Sequence, residues 1–330
     1  MKVKFAQYGM LHSHAAGKAA VLKANPDVHF CGVFEPDPEV RAARGAMEAY
    51  TGVNRYDTRE EMLDDDSIAA IAVEGAIAQN LGFAREALER GKHVWLDKPA
   101  GDNWEDFQAL VALAREEGLL LQLGYMFRYN AGFQFILECV KSGRLGDVFS
   151  VRGRMSTLVD DGRREGLAVH EGGILFELLC HLMDIVVAVL GRPDRVTSFL
   201  RNERGNVPAF RDNTAAVFEY ENAMAIVESS ALEVSAFPSR RFEVYGTRGS
   251  VVMEPLEPEP EVRLCLDEAR DGFSRGWQTV PVENEPRYVG SLRSLVAEIR
   301  GRRPTVRSLD HELIVQETVL RAAGVLQDAG

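Results

Sequence analysis

The first 124 residues alternate short apolar runs with segments of helical period, a rhythm that few folds accept. Strand-like runs fall at residues 3–9, 28–35, 68–74, 94–98 and 119–124, with a weaker one at 53–56. Between them, residues 15–24, 38–50, 80–90 and 104–117 carry apolar side chains at helical spacing, and Gly91 and Gly118 stand where helices close. Parallel strands need crossovers of this length, and such crossovers are almost always right-handed. The pattern therefore predicts a doubly wound parallel sheet of Rossmann type, an α/β domain over residues 1–123.

After Tyr125 the rhythm changes. A helix at 131–142 leads into a strand at 148–155, a polar loop at 160–173 and a helix at 174–190. From about residue 196 to 280 the chain alternates at strand period, including 214–220, 223–232, 241–245 and 250–253. Such stretches suit an open, mostly antiparallel sheet with one face buried. Helices at 288–300 and 311–325 follow, and residues 254–261 read as a Pro/Glu-rich surface loop. A chain of 330 residues can hold two domains, so residues 124–330 are expected to form a second, α+β domain for substrate binding and oligomerisation.

Lys and Arg number 38 against 50 Asp and Glu, a net charge of -12 with no basic cluster, which makes the chain a poor partner for phosphate backbones. Nucleic-acid binding is not expected. Gln7, His12, Ser13 and His14 interrupt what would be the apolar core of a signal peptide, and the apolar run at 185–190 is far too short to cross a bilayer. A cytoplasmic location without membrane partners follows as an expectation. Cys31, Cys139, Cys180 and Cys265 are isolated, which reads as free thiols, and no metal site is expected from them.

At the nucleotide end, the first strand delivers the chain to Gly9-Met10-Leu11-His12-Ser13-His14. Gly9 fits the first glycine of a dinucleotide turn, while Leu11 and His14 fill the places of the second and third. Main-chain N–H groups of such a turn hold a pyrophosphate, so Gly9, Met10, Leu11 and His12 are candidate cofactor contacts. Glu35, ending the second strand, can accept both adenosine ribose hydroxyls and would repel a 2'-phosphate, which favours NAD over NADP. His12 and His14 can equally reach the pyrophosphate or substrate, or pack and cap the first helix.

Several ordered motifs resemble one family. Gly91-Lys92-His93-Val94 precedes Asp97-Lys98-Pro99. Gly124-Tyr125-Met126-Phe127-Arg128-Tyr129-Asn130 looks like the family's crossing between domains, and Ser142-Gly143-Arg144-Leu145-Gly146 like one of its turns. The run from Gly172 to Asp184 resembles its catalytic helix, and Tyr245-Gly246-Thr247-Arg248-Gly249 a turn of its second domain. Together they resemble the glucose-fructose oxidoreductase, inositol dehydrogenase (Gfo/Idh/MocA) family over nearly the whole chain.

That resemblance implies a pyridine-nucleotide oxidoreductase acting on a secondary alcohol or ketone of a sugar, polyol or related small molecule, bound against the open sheet. It further implies a homodimer or homotetramer. Oxidising such an alcohol needs a hydride acceptor, a base for the hydroxyl proton and a positive group beside the developing alkoxide. By resemblance Lys98, at a strand end where open sheets bind ligands, polarises the substrate oxygen and touches the cofactor beside Asp97. His181 transfers the proton, with Glu177, four residues earlier on one helix face, in place of the family's more usual Asp. Asp184 either hydrogen-bonds His181 or anchors the helix. Glu74 stands where the family often has a Thr-Pro stretch and would point a carboxylate to the nicotinamide side. Tyr125, Arg128, Arg163 and His170 are candidate substrate contacts, although the loop holding Arg163, Arg164 and His170 can equally be solvated.

Two other readings start from the same residues. His12 and His14 after a first strand, with Lys98, His170, His181 and Asp184, superficially suit a metal-dependent amidohydrolase barrel, though that fold needs eight strand-helix units. A nucleotide-sensing protein could keep the fold without turnover, but it would need neither Lys98 nor His181.

Overall fold

Five strands of the first third, β1 (Val3–Tyr8), β2 (Val28–Phe34), β3 (Ala70–Val73), β4 (His93–Leu96) and β5 (Leu121–Leu123), pair in parallel in the order β2-β1-β3-β4-β5. The computed structural model describes residues 1–302 and 307–327, divided into two units. The first comprises Met1–Met126 with Arg287–Leu313, the second Phe127–Pro286 with the chain from Ile314.

The central strands β3 and β4 are apolar on both faces because helices cover both sides. The crossovers are α1 (Ala15–Ala24), α2 (Pro38–Gly45), α3 (Arg59–Leu63), α4 (Ile77–Leu88) and α5 (Trp104–Glu116). Asp37 caps α2 by accepting the Glu39 and Val40 N–H groups, with Pro38 at the first helical position.

Residues 53–56 form no strand. Tyr56 and Val33 exchange one bond, Asn54 accepts the Val33 N–H, and Val33 and Arg55 make only an isolated bridge. The chain instead turns into α3, which Thr58 and Glu61 start with a reciprocal capping box.

The second unit holds an eight-stranded sheet. Its elements are α6 (Ala131–Lys141), β6 (Val148–Arg154), α7 (Asp161–Leu167), α8 (Cys180–Leu190), β7 (Arg195–Arg201), β8 (Asn213–Glu219), β9 (Met224–Ser230), β10 (Arg241–Gly246), β11 (Gly249–Met253), β12 (Val262–Leu266) and β13 (Gly276–Val280). The order is β13-β12-β11-β10-β6-β9-β8-β7, antiparallel except where β6 meets β9. One face, with Val151, Val227, Phe242 and Leu264, is buried. The other presents Arg152, Ile226 and Glu243 in one cross-strand row, with Phe199 and Trp277 more than half exposed.

Two boundaries differ from the sequence reading. The division at residue 123 does not hold for the C-terminal part: α9 (Val289–Ile299) belongs to the first unit, because Leu292, Leu295 and Val296 complete the apolar layer of Val3, Phe5, Leu22, Ala72 and Trp95. The polar stretch 160–173 is not a plain loop. Gly162 and Gly166 count against a helix there, yet Asp160 caps α7, and Arg164 turns inward to the Asp212 carboxylate at 2.9 Å. The chain closes with α10 (Leu309–Ala323). Among the described residues no helix is long and apolar enough to cross a membrane.

Candidate functional site

In the first unit, most of the singled-out residues stand at the C-terminal ends of parallel strands, where open α/β sheets bind ligands. Gly9 follows β1, Glu35 follows β2, Glu74 follows β3, and Asp97 and Lys98 follow β4. Gly9 has φ +89°, and a Cβ there would lie 2.5 Å from the Gly75 nitrogen, so only glycine lets the first turn pass under the third strand's end. The turn is tied from three directions. Gly9 N–H donates to Phe34 O at 2.8 Å, Gln7 Nε2 to Gly9 O at 2.9 Å, and Met10 N–H to Glu35 Oε2 at 2.6 Å. Glu35 Oε1 also accepts the Asp37 N–H at 2.9 Å, and burial raises this carboxyl above its ordinary pKa. Its position is thus fixed by backbone before any ribose arrives. Leu11 is 41% exposed at the tip of the turn.

Behind the turn lies a buried charged cluster. Lys18, one turn into α1, faces the sheet beside Ala15, Ala19 and Leu22 and is wholly buried. Its ammonium bonds Glu74 Oε1, lies 3.6 Å from Asp97 Oδ1 and sits 4.7 Å above the Trp95 ring. Asp97 Oδ2 receives His12 Nδ1 at 2.5 Å and His14 Nδ1 at 3.0 Å, while Oδ1 accepts the Lys98 N–H at 2.7 Å. The neighbouring His12, Lys18 and His14 side chains hold Asp97 well below the usual carboxylate range despite its burial. Glu74 moves the opposite way: burial, reinforced by the Asp97 charge, raises it well above its ordinary value. Burial lowers His14 to about 4, so its imidazole is neutral near pH 7.

Two features of this unit bear on a nucleotide. A groove of about 480 Å³ beside the end of β2 is lined by Tyr8, Phe34, Pro36, Thr58 and Phe83, with Tyr8 and Phe83 stacked at 3.9 Å. Asn80, on α4, is wholly buried, and neither its amide nitrogen nor its oxygen has a hydrogen-bond partner. Leaving a buried amide unsatisfied costs about 1–3 kcal/mol, and a polar ligand would remove that cost. The glycine turn, the fixed carboxylate of Glu35 and this orphaned amide together fit a dinucleotide.

In the second unit, Gly173 leads into the helix carrying His181. Its φ is +52°, and a Cβ would meet Arg211 O at 2.5 Å. Residues Leu175–Leu179, including Glu177, form a π turn, a local widening frequent at functional sites, before α8 resumes. His181 is buried, with its ring 5.6 Å from Phe127.

Asp184 accepts from Arg128, through Nε at 3.0 Å and Nη2 at 2.8 Å, which anchors α8 to the turn Met126–Tyr129. The Asp184 carboxylate thus serves as an anchor of the helix. Arg163 is exposed on α7, and His170 is buried 5.3 Å from the Phe176 ring. Tyr125, the candidate contact at the end of the first unit, is buried.

Sequence reasoning missed Lys18, Asn80 and the Tyr8–Phe83 stack. Lys18 had a signal: a lysine within the apolar Ala15, Ala19, Leu22 stripe of α1 must find buried carboxylates.

Known proteins align with both units. Residues 8–125 match the family model for an oxidoreductase family with NAD-binding Rossmann fold, and residues 133–252 match the GFO/IDH/MocA C-terminal domain. The uncharacterized oxidoreductase YhhX of Escherichia coli is 27% identical over 258 residues, 77% of this chain and 72% of that protein. Four other curated oxidoreductases are matched over only 58–60% of their own lengths. D-xylose 1-dehydrogenase (NADP(+)) 2 of Haloferax volcanii is 27% identical over 88% of this chain and 95% of its own. Among solved structures, UDP-N-acetylglucosamine 3-dehydrogenase GnnA from Acidithiobacillus ferrooxidans superposes with TM-score 0.82 at 16% identity, covering 99% and 98% of the two chains, which establishes a shared fold.

Proposed function

This chain belongs to the GFO/IDH/MocA oxidoreductase family, and from that premise we propose that it transfers a hydride between a nicotinamide and a secondary alcohol or ketone of a sugar, polyol or related small molecule. The observation that carries the reading is Lys98 at the C-terminal end of β4, beside the cluster built on Asp97, in a sheet whose other strand ends offer Gly9 and Glu35. The D-xylose dehydrogenase relative supports the substrate class.

The bound nicotinamide would supply the hydride acceptor. Gly9, Met10, Leu11 and His12 would hold the pyrophosphate end, and Glu35 the adenosine ribose. Glu74 and Asp97 would border the nicotinamide end, with Asn80 satisfied by a polar group of the cofactor. A carboxylate at Glu35 favours NAD, since a 2'-phosphate there would meet a second negative charge. In alcohol oxidation the carbinol C–H leaves as hydride and the hydroxyl proton leaves to a base as C=O forms. We assign Lys98 to stabilising the developing alkoxide and His181 to carrying the proton, with Glu177 as its orienting carboxylate. Tyr125, Arg163 and His170 are the proposed substrate contacts. Arg128 would act on substrate only at the cost of its buried bond to Asp184, so its proposed role narrows to positioning the His181 helix.

The open face of the eight-stranded sheet, with Phe199 and Trp277 exposed around a row of Arg and Glu, supports pairing with a second copy of the chain. The test of function is absorbance at 340 nm across inositols, aldoses, sugar acids and amino-polyols with NAD and with NADP. Reduction of NAD by at least one of them is expected. Tight nucleotide binding with neither burst nor steady-state reduction on any of them would instead favour a sensing role.

A further inference from the structure

We propose that His12, His14, Asp97 and Glu74 form a binding site for one divalent first-row transition-metal ion of the zinc class. The inference goes beyond the oxidoreductase reading and does not depend on it.

Three donor atoms from two strand ends face one another, and a carboxylate oxygen from a third strand end lies beside one of them. His12 and His14, two residues apart in the turn before α1, both aim Nδ1 at Asp97 Oδ2, at 2.5 and 3.0 Å. One ligand atom from each of His12, His14 and Asp97 lies within 4.8 Å of the others. Two imidazoles and a carboxylate are a set that zinc, iron and nickel accept readily. A fourth donor comes independently: Glu74 Oε2 lies 4.0 Å from His12 Nδ1, is wholly buried and has no hydrogen-bond partner.

The other oxygens of the two carboxylates point the opposite way, to Lys18. Its ammonium holds Glu74 Oε1 and lies 3.6 Å from Asp97 Oδ1. Ligating carboxylates are commonly fixed by such outer contacts, and here one cation fixes both. The main-chain N–H of His14 points at His12 Nδ1 at 3.3 Å, which favours a lone pair on that nitrogen. A lone pair facing a carboxylate oxygen at 2.5 Å repels it unless a proton or a cation lies between. A metal ion would take that place, with the two atoms parting to about 3.3 Å, the separation that bonds of about 2.0–2.1 Å to a tetrahedral ion require.

The rival reading that began from these histidines required a barrel, which the two sheets exclude. Its donor pair nonetheless converges with Asp97, on a different fold.

The test uses the full chain, stripped of nucleotide and metal by dialysis against chelator and titrated with cobalt and zinc chlorides. Cobalt should give a visible absorption band saturating at one ion per chain, and zinc should displace it with a Kd of about 1 µM or tighter. His14→Ala and Asp97→Asn should each weaken zinc binding at least about 100-fold, and Glu74→Gln about tenfold, while His29→Ala, an exposed histidine on β2, stays within about twofold. Circular dichroism confirms that each variant is folded. If Asp97→Asn is not, His12→Gln and His14→Ala decide. Absence of a cobalt band at about 100 µM metal, or affinity unmoved in His14→Ala and His12→Gln, would overturn the site and leave a proton-bonded cluster. NADH affinity, measured separately by fluorescence, reports on the dinucleotide reading and cannot be confused with either result.

Discussion

Lys18→Met is the sharpest structural perturbation of the first unit. The ammonium is wholly buried between two carboxylates and over Trp95. Methionine keeps the apolar stem and removes the charge, which leaves Glu74 and Asp97 buried without it. Breaking a buried pair by deleting one partner costs about 3–5 kcal/mol. Glu74 has a partial escape, because it can stay protonated.

The sign of the pH dependence follows from that escape. The Glu74 carboxyl is raised in the folded chain, whereas the unfolded chain releases that proton near 4.5. Above that value the unfolded state binds fewer protons, so stability falls as pH rises until the folded value is passed. Lys18 limits the rise, and without it the decline continues further. The cost of Lys18→Met should therefore grow between pH 5 and pH 8, approaching about 4 kcal/mol at the upper end. Glu74→Gln removes one of the stranded charges, so the double variant should be less destabilised than the sum of the singles by about 1–3 kcal/mol. Urea unfolding followed by Trp95 fluorescence, in a background with Trp104 and Trp277 replaced by Phe, measures all four corners. A cost below about 1 kcal/mol at pH 8, a cost independent of pH, or strict additivity would refute the buried-cation account.

Three further outcomes are expected. Glu35→Ala removes the acceptor of the Met10 N–H and the carboxylate offered to ribose, so NAD should bind about 10–100-fold more weakly and preference over NADP should fall to within about threefold; unchanged discrimination in titrations of both nucleotides would place the carboxylate away from the ribose. Asp184→Ala removes the buried carboxylate that accepts from the Arg128 guanidinium and should lower the stability of the second unit by about 3–5 kcal/mol in denaturant, a loss below about 1 kcal/mol showing the pair to be incidental. Gly9→Ala places a methyl 2.5 Å from the Gly75 nitrogen at φ +89°, so the variant should lose nucleotide binding or fail to fold, and wild-type affinity would show that the turn can open.

Much of the fold can be read from periodicity. The alternation of apolar runs and helices in the first third yields the five parallel strands, and the period-two stretches at 214–220, 223–232, 241–245 and 250–253 become β8, β9, β10 and β11. The misses have local causes. Val53 and Tyr56 look like strand residues, but the Thr58–Glu61 capping box commits the chain to a helix first. Glycines at 162 and 166 argue for a loop, and the buried Arg164–Asp212 pair, distant in sequence, overrides them. α9 carries an ordinary apolar stripe, and nothing in that stripe says which sheet it covers. Placement was legible where a residue ends a strand, as for Gly9, Glu35, Asp97 and Lys98. It was not legible where partners meet only in three dimensions: spacing offers Asp184 a bond to His181 or a role as helix anchor, and nothing in the sequence names Arg128 as the partner of that anchor.

Hydride transfer assisted by the lysine at the end of β4 is the central claim, and Lys98→Ala tests it most directly. With a substrate that reduces NAD, the variant's single-turnover rate and its NAD dissociation constant should be measured together, on the same preparation. The rate should fall by about 10²–10⁴-fold with NAD affinity within about threefold of the native chain, and an equal loss of both would mean that Lys98 holds the structure rather than the reacting oxygen.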